Sequence, residues 1–492
     1  MDGKHAPVAQ RIRASDYGSE GCRFESCLAH EQNAKHLPRV FFISATWFIP
    51  FRYTKKCCKI NVFCITLGGN IYNMIRRSWI IVRNIANNER ISGLIMLGFA
   101  LTGLLLANIP LTAPVFEAVS HTHIGIPFTN IHMSISHWVQ DGVLTIFFLS
   151  VGLDLKHELI AGSLSDPRAA AMPMICAVGG MVAPPLLFVA TVTVFSEFHA
   201  GQEIMRLTSG ALPSLDMVRA GWAIPTATDI AFSLAVLALF AKTLPHALRA
   251  FLMTLATVDD LLGIALIAVF FSSLNAWYWF VGVVVCGLIW TTLVRLKHVP
   301  WPLVALVGIV AWVMMYEAGV HPTLAGVMVG LLTPAHLVHG EKTLRAERYR
   351  EKIQPVSALV ALPIFALFAT GVHFETLTWE LFLSPILIAI TIALVVGKPL
   401  GIMVTAWLSK HLLGLKVPDS LRVVDLLPTA CACGIGFTVS LLIASLSYSD
   451  ADLSAEARFG VLVASIVAAG VAGFLLSMQS KHMEEELDDI ED

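Results

Sequence analysis

The chain has 492 residues, of which 56% are hydrophobic and 14% charged, with a formal net charge of -2. Water-soluble domains carry about 25% charged residues, so this balance excludes an ordinary soluble fold and describes a protein that crosses a bilayer several times. A charge so near neutral gives no reason to expect a nucleic-acid partner.

Residues 1–73 stand apart. They hold ten Lys and Arg against five Asp and Glu, with no apolar run of the roughly 20 residues that a spanning helix needs. They also lack the short basic, apolar, small-residue pattern of a secretory signal. The stretch from Val8 to Cys27 resembles a translated transfer-RNA gene, so translation is expected to start near Met74, just before Arg76 and Arg77. The alternative reading of this stretch is a disordered basic tail. Four parts follow: an N-terminal extension over 1–73, a cytoplasmic segment over 74–90, a membrane domain over 91–480 and an acidic cytoplasmic tail over 481–492. Of nine cysteines, Cys22, Cys27, Cys57, Cys58 and Cys64 lie in the extension. Cys176, Cys286, Cys431 and Cys433 sit in apolar segments, where cysteine acts as a small hydrophobe. No disulfide is assigned.

Twelve apolar stretches read as helices in an all-α polytopic fold: 91–108, 134–154, 170–195, 223–240, 247–271, 274–293, 301–316, 319–334, 353–371, 383–409, 424–447 and 458–478. Alternate connections, with Arg249 on the same side, carry fourteen Lys and Arg, while the opposite set has only Arg206, Arg219 and Arg458. Basic residues stay on the cytoplasmic side, so both termini are predicted cytoplasmic.

The fourth stretch holds Pro225-Thr226-Ala227-Thr228-Asp229, and the fifth holds Asp259 and Asp260 side by side. Asp229 lies eleven residues from the cytoplasmic end of its helix, and Asp259 eleven from its own. A rise of 1.5 Å per residue puts both about 16 Å deep, near the middle of a roughly 30 Å hydrocarbon layer. Lys398, within Gly397-Lys398-Pro399, comes out at about 18 Å, and Gly434, in Cys433-Gly434-Ile435-Gly436-Phe437-Thr438, at similar depth. Ionisable groups at that depth are costly and mark ion or proton paths by default.

Helices four and eleven both read as interrupted, by Pro225 with Thr226 and by Gly434 with Gly436. The bland reading of Gly434 and Gly436 is close helix packing; charges at the same depth on three neighbouring helices weigh against it. Adjacent acids on a helix point about 100° apart. One of Asp259 and Asp260 therefore can pair with a cation on a neighbouring helix while the other faces a cavity. A structural ion pair with Lys398 would explain only one of them. Asp229 sits where opposed half-helix ends expose partial charges. Thr228 and Thr226 offer neutral oxygens to a cation, although threonine often only satisfies a local carbonyl.

Asp154, His157 and Glu158 end the second helix and suggest a cation funnel that also senses pH; the even alternative is a solvated helix end. Asp141 lies about 20 Å from Asp154 along that helix, near the periplasmic surface, to cap that end or line the outer path. Glu317 and His321 fall near a periplasmic turn, where a lone histidine is more often structural than a pH switch.

Gly221 to Phe232, Val258-Asp259-Asp260-Leu261, Gly319 to Gly326, Gly397 to Gly401 and Cys433 to Thr438 together resemble the bacterial NhaA sodium/proton antiporters over about residues 88–480. The resemblance implies an inner-membrane exchanger with twelve helices and two inverted repeats, helices 3–5 and 10–12, crossing at the broken helices 4 and 11. Paired interruptions in the two halves point to a transport site, and these antiporters are among the families from which that rule was drawn. Protons entering from the periplasm would drive Na⁺ or Li⁺ out, electrogenically and faster at alkaline pH. Asp259 and Asp260 would be the cation and proton site, Lys398 the partner of Asp259, and Asp229 the balance for half-helix ends. Asp154 and Glu158 would belong to the pH-responsive funnel. No cofactor is implied beyond the transported ions, and membrane lipid is the surrounding partner. The connection 108–130 would form a β-hairpin for homodimerisation, with strands Ile124-Gly125-Ile126 and Ile131-His132-Met133. Three positions depart from the family pattern: Asp154 replaces a typical Glu, His157 a typical Arg, and the segment Arg350 to Gln354 lacks the histidines of the best-known member.

Two other classes use related features. An intramembrane aspartyl protease needs two Asp on separate helices at matched depth; Asp229 and Asp259 qualify formally, but Lys398 and the duplicated breaks have no role there. A sodium-coupled organic-solute symporter of similar fold would need a larger cavity with solute-recognising groups, and none stands out.

Overall fold

The computed structural model describes residues 79–491 except for 126–130, 199–213, 241–245, 274–275, 338–339, 342, 373–378 and 416–421. By its internal contacts the chain divides into Met1–Tyr72 and Asn73–Asp492. The extension over 1–73, its cysteines and the start near Met74 lie outside the described residues.

Helices dominate the second unit. After a helical stretch over 79–86, the first long helix, α1 (Glu89–Asn108), starts at Asn88, whose side chain accepts from the Ile91 amide, as asparagine does at helix starts. A short α2 (Ala113–His121) leads into β1 (His123–Gly125) and β2 (His132–Ser134), an antiparallel pair in which Ile124 faces Met133. The hairpin thus starts in the expected connection 108–130, but its second strand lies beyond it, and both strands are offset by one residue from 124–126 and 131–133. Ile131 is fully buried ahead of the strand, and Ile126 is outside the described residues.

Next come α3 (135–160), widened into a π-helix over Trp138–Val143, and α4 (Pro167–Glu197). One broken span consists of α5 (Leu215–Thr226) and α6 (Ile230–Phe240), bent by 53°. They are followed by α7 (His246–Phe270), α8 (Trp277–Arg295), α9 (Trp301–Glu317), α10 (Leu324–Leu332), α11 (Arg345–Ala369) and α12 (Pro385–Leu412). The second broken span is α13 (Val423–Ala432) with α14 (Phe437–Ser447), bent by 58°, and α15 (Ala451–Glu491) closes the chain.

Among the described residues seven helices are long and apolar enough to cross a membrane, or nine when each bent pair counts as one span. Their outward faces carry large apolar side chains such as Leu94, Leu186, Val269, Phe270, Leu288 and Phe474, all more than half exposed. A soluble monomer does not present such a surface; a bilayer matches it.

Several ends differ from the sequence expectation for local reasons. The fourth span begins at Leu215 rather than 223, because the Ser214 side chain accepts from the Met217 amide and starts a helix there. The ninth begins at Arg345 rather than 353. The last runs past 478 into the acidic tail, whose Glu and Leu residues are good helix formers. Within α12, Pro399 cannot donate to the preceding turn, and that turn, Ala393–Gly397, widens into a π-helix just before Lys398. α3 packs against α10 and α4 against α12, and the two broken spans lie against α1, α4, α12 and α15.

Candidate transport site

Each break leaves backbone groups without helical partners at membrane depth, where an unsatisfied group is costly. The two broken spans cross and satisfy one another. The Asp229 amide donates to the Ile435 carbonyl at 2.7 Å, joining the two linkers directly. Hydroxyls then reach across to the carbonyls left open at the helix C-termini. Ser440 Oγ donates to the Ile224 carbonyl at 2.8 Å, and Ser233 Oγ donates to the Ala432 carbonyl, also at 2.8 Å. Thr228 Oγ1 donates to the Cys433 carbonyl at 2.9 Å.

Two glycines let the second linker pack closely against α12 and against the first linker. A Cβ at Gly434 would fall 2.5 Å from the Leu394 carbonyl oxygen of α12, and one at Gly436 would press on Ser440 and lie 3.2 Å from the Ala227 carbonyl oxygen.

Charge sits where the half-helix ends call for it. A helix N-terminus carries partial positive charge and a C-terminus partial negative charge. Asp229, 4% exposed, caps two N-termini at once. Its Oδ1 accepts from the Phe232 amide of α6 at 3.0 Å. Its Oδ2 accepts from the Thr438 amide of α14 at 3.1 Å and from Thr438 Oγ1 at 2.7 Å. Lys398 takes the opposite place: its Nζ donates to the Thr226 carbonyl, the C-terminus of α5, at 2.5 Å. The same Nζ donates to Asp259 Oδ2 at 2.8 Å. Lys398 is fully buried and Asp259 is 2% exposed.

Asp260, half-buried, points the other way. It lines an open funnel of about 240 Å³ together with Thr228, Asp229, Asp154, Glu158 and Arg350. A second and far smaller space of about 10 Å³ lies beyond the doublet, between Asp259, Asp260, Phe147, Gly263 and Ile267.

The structure therefore brings Asp229, Asp259, Asp260, Lys398, Pro225, Thr226, Thr228, Gly434 and Gly436 into one crossing. It separates their roles more sharply than sequence does. The hydroxyl of Thr226 is turned to the Ala223 carbonyl at 2.7 Å, so this threonine meets Lys398 through its backbone oxygen. Asp154 and Glu158 line the funnel, whereas His157 is not among its walls; the 100° step of a helix turns it aside. In its place stands Arg350 of α11, ion-paired with Asp154. Arg350 carried no role in the sequence beyond its topological charge. Thr438, Ser233 and Ser440 were also unassigned as ligands of the breaks.

Asp141 lies outside the crossing. It is buried on the π-turn of α3, 3.5 Å from His321 Nε2. The Trp312 indole nitrogen donates to its carbonyl at 2.9 Å. Cys176, Cys286, Cys431 and Cys433 are buried free thiols.

Comparison with known proteins finds similar chains over most of the length. The family model described as Na+/H+ antiporter 1 matches residues 83–476. The Na(+)/H(+) antiporter NhaA of Bifidobacterium adolescentis is 67% identical over 409 residues, covering 83% of this chain and 90% of its own. That of Bifidobacterium breve is 65% identical over 413 residues, covering 83% and 89%. The Na(+)/H(+) antiporter NhaA 3 of Streptomyces coelicolor is 40% identical over 408 residues, covering 82% of each chain.

Proposed function

We propose that this chain, which belongs to the Na+/H+ antiporter 1 family, exports Na⁺ or Li⁺ in exchange for protons at the two neighbouring carboxylates of α7. One observation carries the site assignment: the doublet is divided, with Asp259 held by Lys398 and Asp260 open to the funnel. Na⁺ is a hard cation and seeks oxygen ligands. A cation entering the funnel passes Glu158 and Asp154 and meets Asp260, with the Asp229 carboxylate and Thr228 close to the same floor. Neighbouring carboxylates in a medium of low dielectric repel one another, so the doublet favours a bound positive ion. Sodium displaces protons there, and protons displace sodium after the site has turned to the other face. Competition for one set of oxygens enforces exchange without a separate coupling device. Two protons per Na⁺ would move net charge, and each charge crossing 100 mV is worth about 2.3 kcal/mol.

The finer architecture belongs to the same proposal. It takes the chain as twelve crossings with two inverted repeats; the reciprocal bonds of Ser233 and Ser440, each reaching from one broken span to the C-terminal carbonyls of the other, support the pairing of those two spans. An inner-membrane setting with both termini cytoplasmic is supported by the asymmetry of fourteen against three basic residues. The β1–β2 hairpin, which starts in the connection 108–130, suits homodimerisation. A protease reading leaves Lys398 and the duplicated breaks without a purpose.

The test is a pH-sensitive dye inside proteoliposomes, with Na⁺, Li⁺ and K⁺ added in turn. Sodium-triggered proton flux that vanishes in Asp260→Asn supports the proposal; peptide cleavage or solute uptake without such flux would replace it.

A further inference from the structure

The small space beyond the doublet has a feature that packing does not explain. Its walls include Phe147, Phe148, Ile264, Ile267 and Val439 around the two carboxylates. Gly263, one turn beyond Asp259 and Asp260 on α7, also faces it. Gly263 is buried, yet a Cβ built on it would meet nothing within 4 Å. The other glycines with that property, Gly98, Gly340, Gly414 and Gly470, are all exposed. Interiors are packed to crystal density, and glycine weakens a helix interior relative to alanine. A buried helical glycine beside empty space is therefore the opposite of a tight-packing glycine. At about 10 Å³ the chamber holds one water at most, with carboxylate oxygens as its polar partners. Funnel and chamber share Phe147, Val151, Asp260 and Val439 as walls, so the aspartate side chain borders both spaces.

We propose that this chamber is the closed form of the opposite vestibule, and that Gly263 keeps free the space into which sodium leaves when the site turns. The inference rests on the exchange reading above and deepens it. In the funnel-open state the chamber between Phe147, Ile264, Ile267 and Val439 is, at about 10 Å³, too small to take a hydrated cation. As the funnel closes, the same space must widen, and a side chain at 263 would occupy it. Gly263 is a positioning residue in this account; it offers no group to the ion.

The experiment compares wild type with Gly263→Ala, Gly263→Val and the control Gly98→Val. Sodium binding in detergent is read by calorimetry, exchange in proteoliposomes and melting temperature separately. Binding from the funnel side stays near wild type in Gly263→Val while maximal exchange falls by about tenfold or more with KM little changed, the pattern of a blocked conformational step. Gly263→Ala melts at or above wild type and exchanges more slowly. The control exchanges normally. Wild-type exchange in Gly263→Val overturns the inference. So does a lowered melting temperature in Gly263→Ala, because it would show the position to be filled. Absence of exchange in the wild type itself would instead overturn the proposed function.

Discussion

The ammonium of Lys398 lies 2.8 Å from the Asp259 carboxylate, with both side chains withdrawn from solvent. The same ammonium holds the Thr226 carbonyl at the end of α5, so one residue ties α7, α12 and the broken span together. Removing one partner of a buried ion pair strands the other and costs roughly 3–5 kcal/mol. Lys398→Ala is expected to lower the melting temperature as well as turnover. Adding Asp259→Asn to that variant should recover part of the stability without restoring exchange, since the stranded charge is then gone. An unchanged melting temperature in Lys398→Ala would count against the pair.

Asp229 caps two helices with one carboxylate, and the two halves of that role are separable. Thr438→Val removes one hydroxyl donor and should cost about 1 kcal/mol. Asp229→Ala uncaps both α6 and α14 and should cost about 2 kcal/mol, or about 1 for each cap. Chemical unfolding of the purified variants gives the ranking. Equal losses in the two variants would contradict the double cap.

At the funnel mouth Arg350 sets a positive charge against Asp154, with side chains 33% and 39% exposed. Such accessible pairs contribute about 0–1 kcal/mol, so Arg350→Ala should melt near wild type. Its effect belongs to the ion. Removing the guanidinium leaves the mouth, with Asp154 and Glu158, more negative and attracts cations. The KM for Na⁺ should fall at low ionic strength, and the difference should shrink as added salt screens the mouth. A KM that rises in this variant would assign Arg350 another role.

Outside the membrane, Glu341 accepts from Arg345 Nε at 3.1 Å and from Arg345 Nη2 at 2.8 Å. Arg345 is buried and also donates to the Val294 and Leu296 carbonyls at the end of α8. Arg345→Ala is expected to cost roughly 2–3 kcal/mol, the loss of hydrogen bonds made by a buried charge; thermal unfolding measures it.

The hydrogen bonds from Arg345, aided by the charge of Arg348, hold the Glu341 carboxyl below its ordinary value of 4.5. A carboxyl with a lowered folded value binds fewer protons folded than unfolded. Its stabilising contribution is therefore complete above about pH 4.5 and is lost as pH falls through the lower folded value. Wild type should lose more stability than Glu341→Gln over that interval. Parallel melting curves for the two proteins below pH 4.5 would contradict this assignment.

Much of the site was legible because buried charge is rare. Asp229, Asp259, Asp260 and Lys398 interrupt apolar runs, and helical rise alone set them at one depth. The breaks were visible in Pro225 and in Gly434 with Gly436. The hydroxyl partners were not. Thr228 reaches a carbonyl 205 residues away and Ser440 one 216 residues away; only the crossing of two distant segments decides which carbonyl each hydroxyl meets. His157 read as a funnel group from its neighbours, but one residue of helical rotation takes it off the wall. Arg350 entered the funnel from another helix, which spacing along the chain does not reveal. Emptiness is the least legible feature of all: nothing in the residues around Gly263 announces that the space beside it is free.

The central claim is that sodium and protons compete for the carboxylates at 259 and 260. Its most direct measurement is sodium-triggered proton flux in proteoliposomes bearing Asp259→Asn together with Asp260→Asn, beside wild type at equal protein density. Flux reduced to that of protein-free vesicles is the result this account predicts. Flux persisting at the wild-type rate would contradict it.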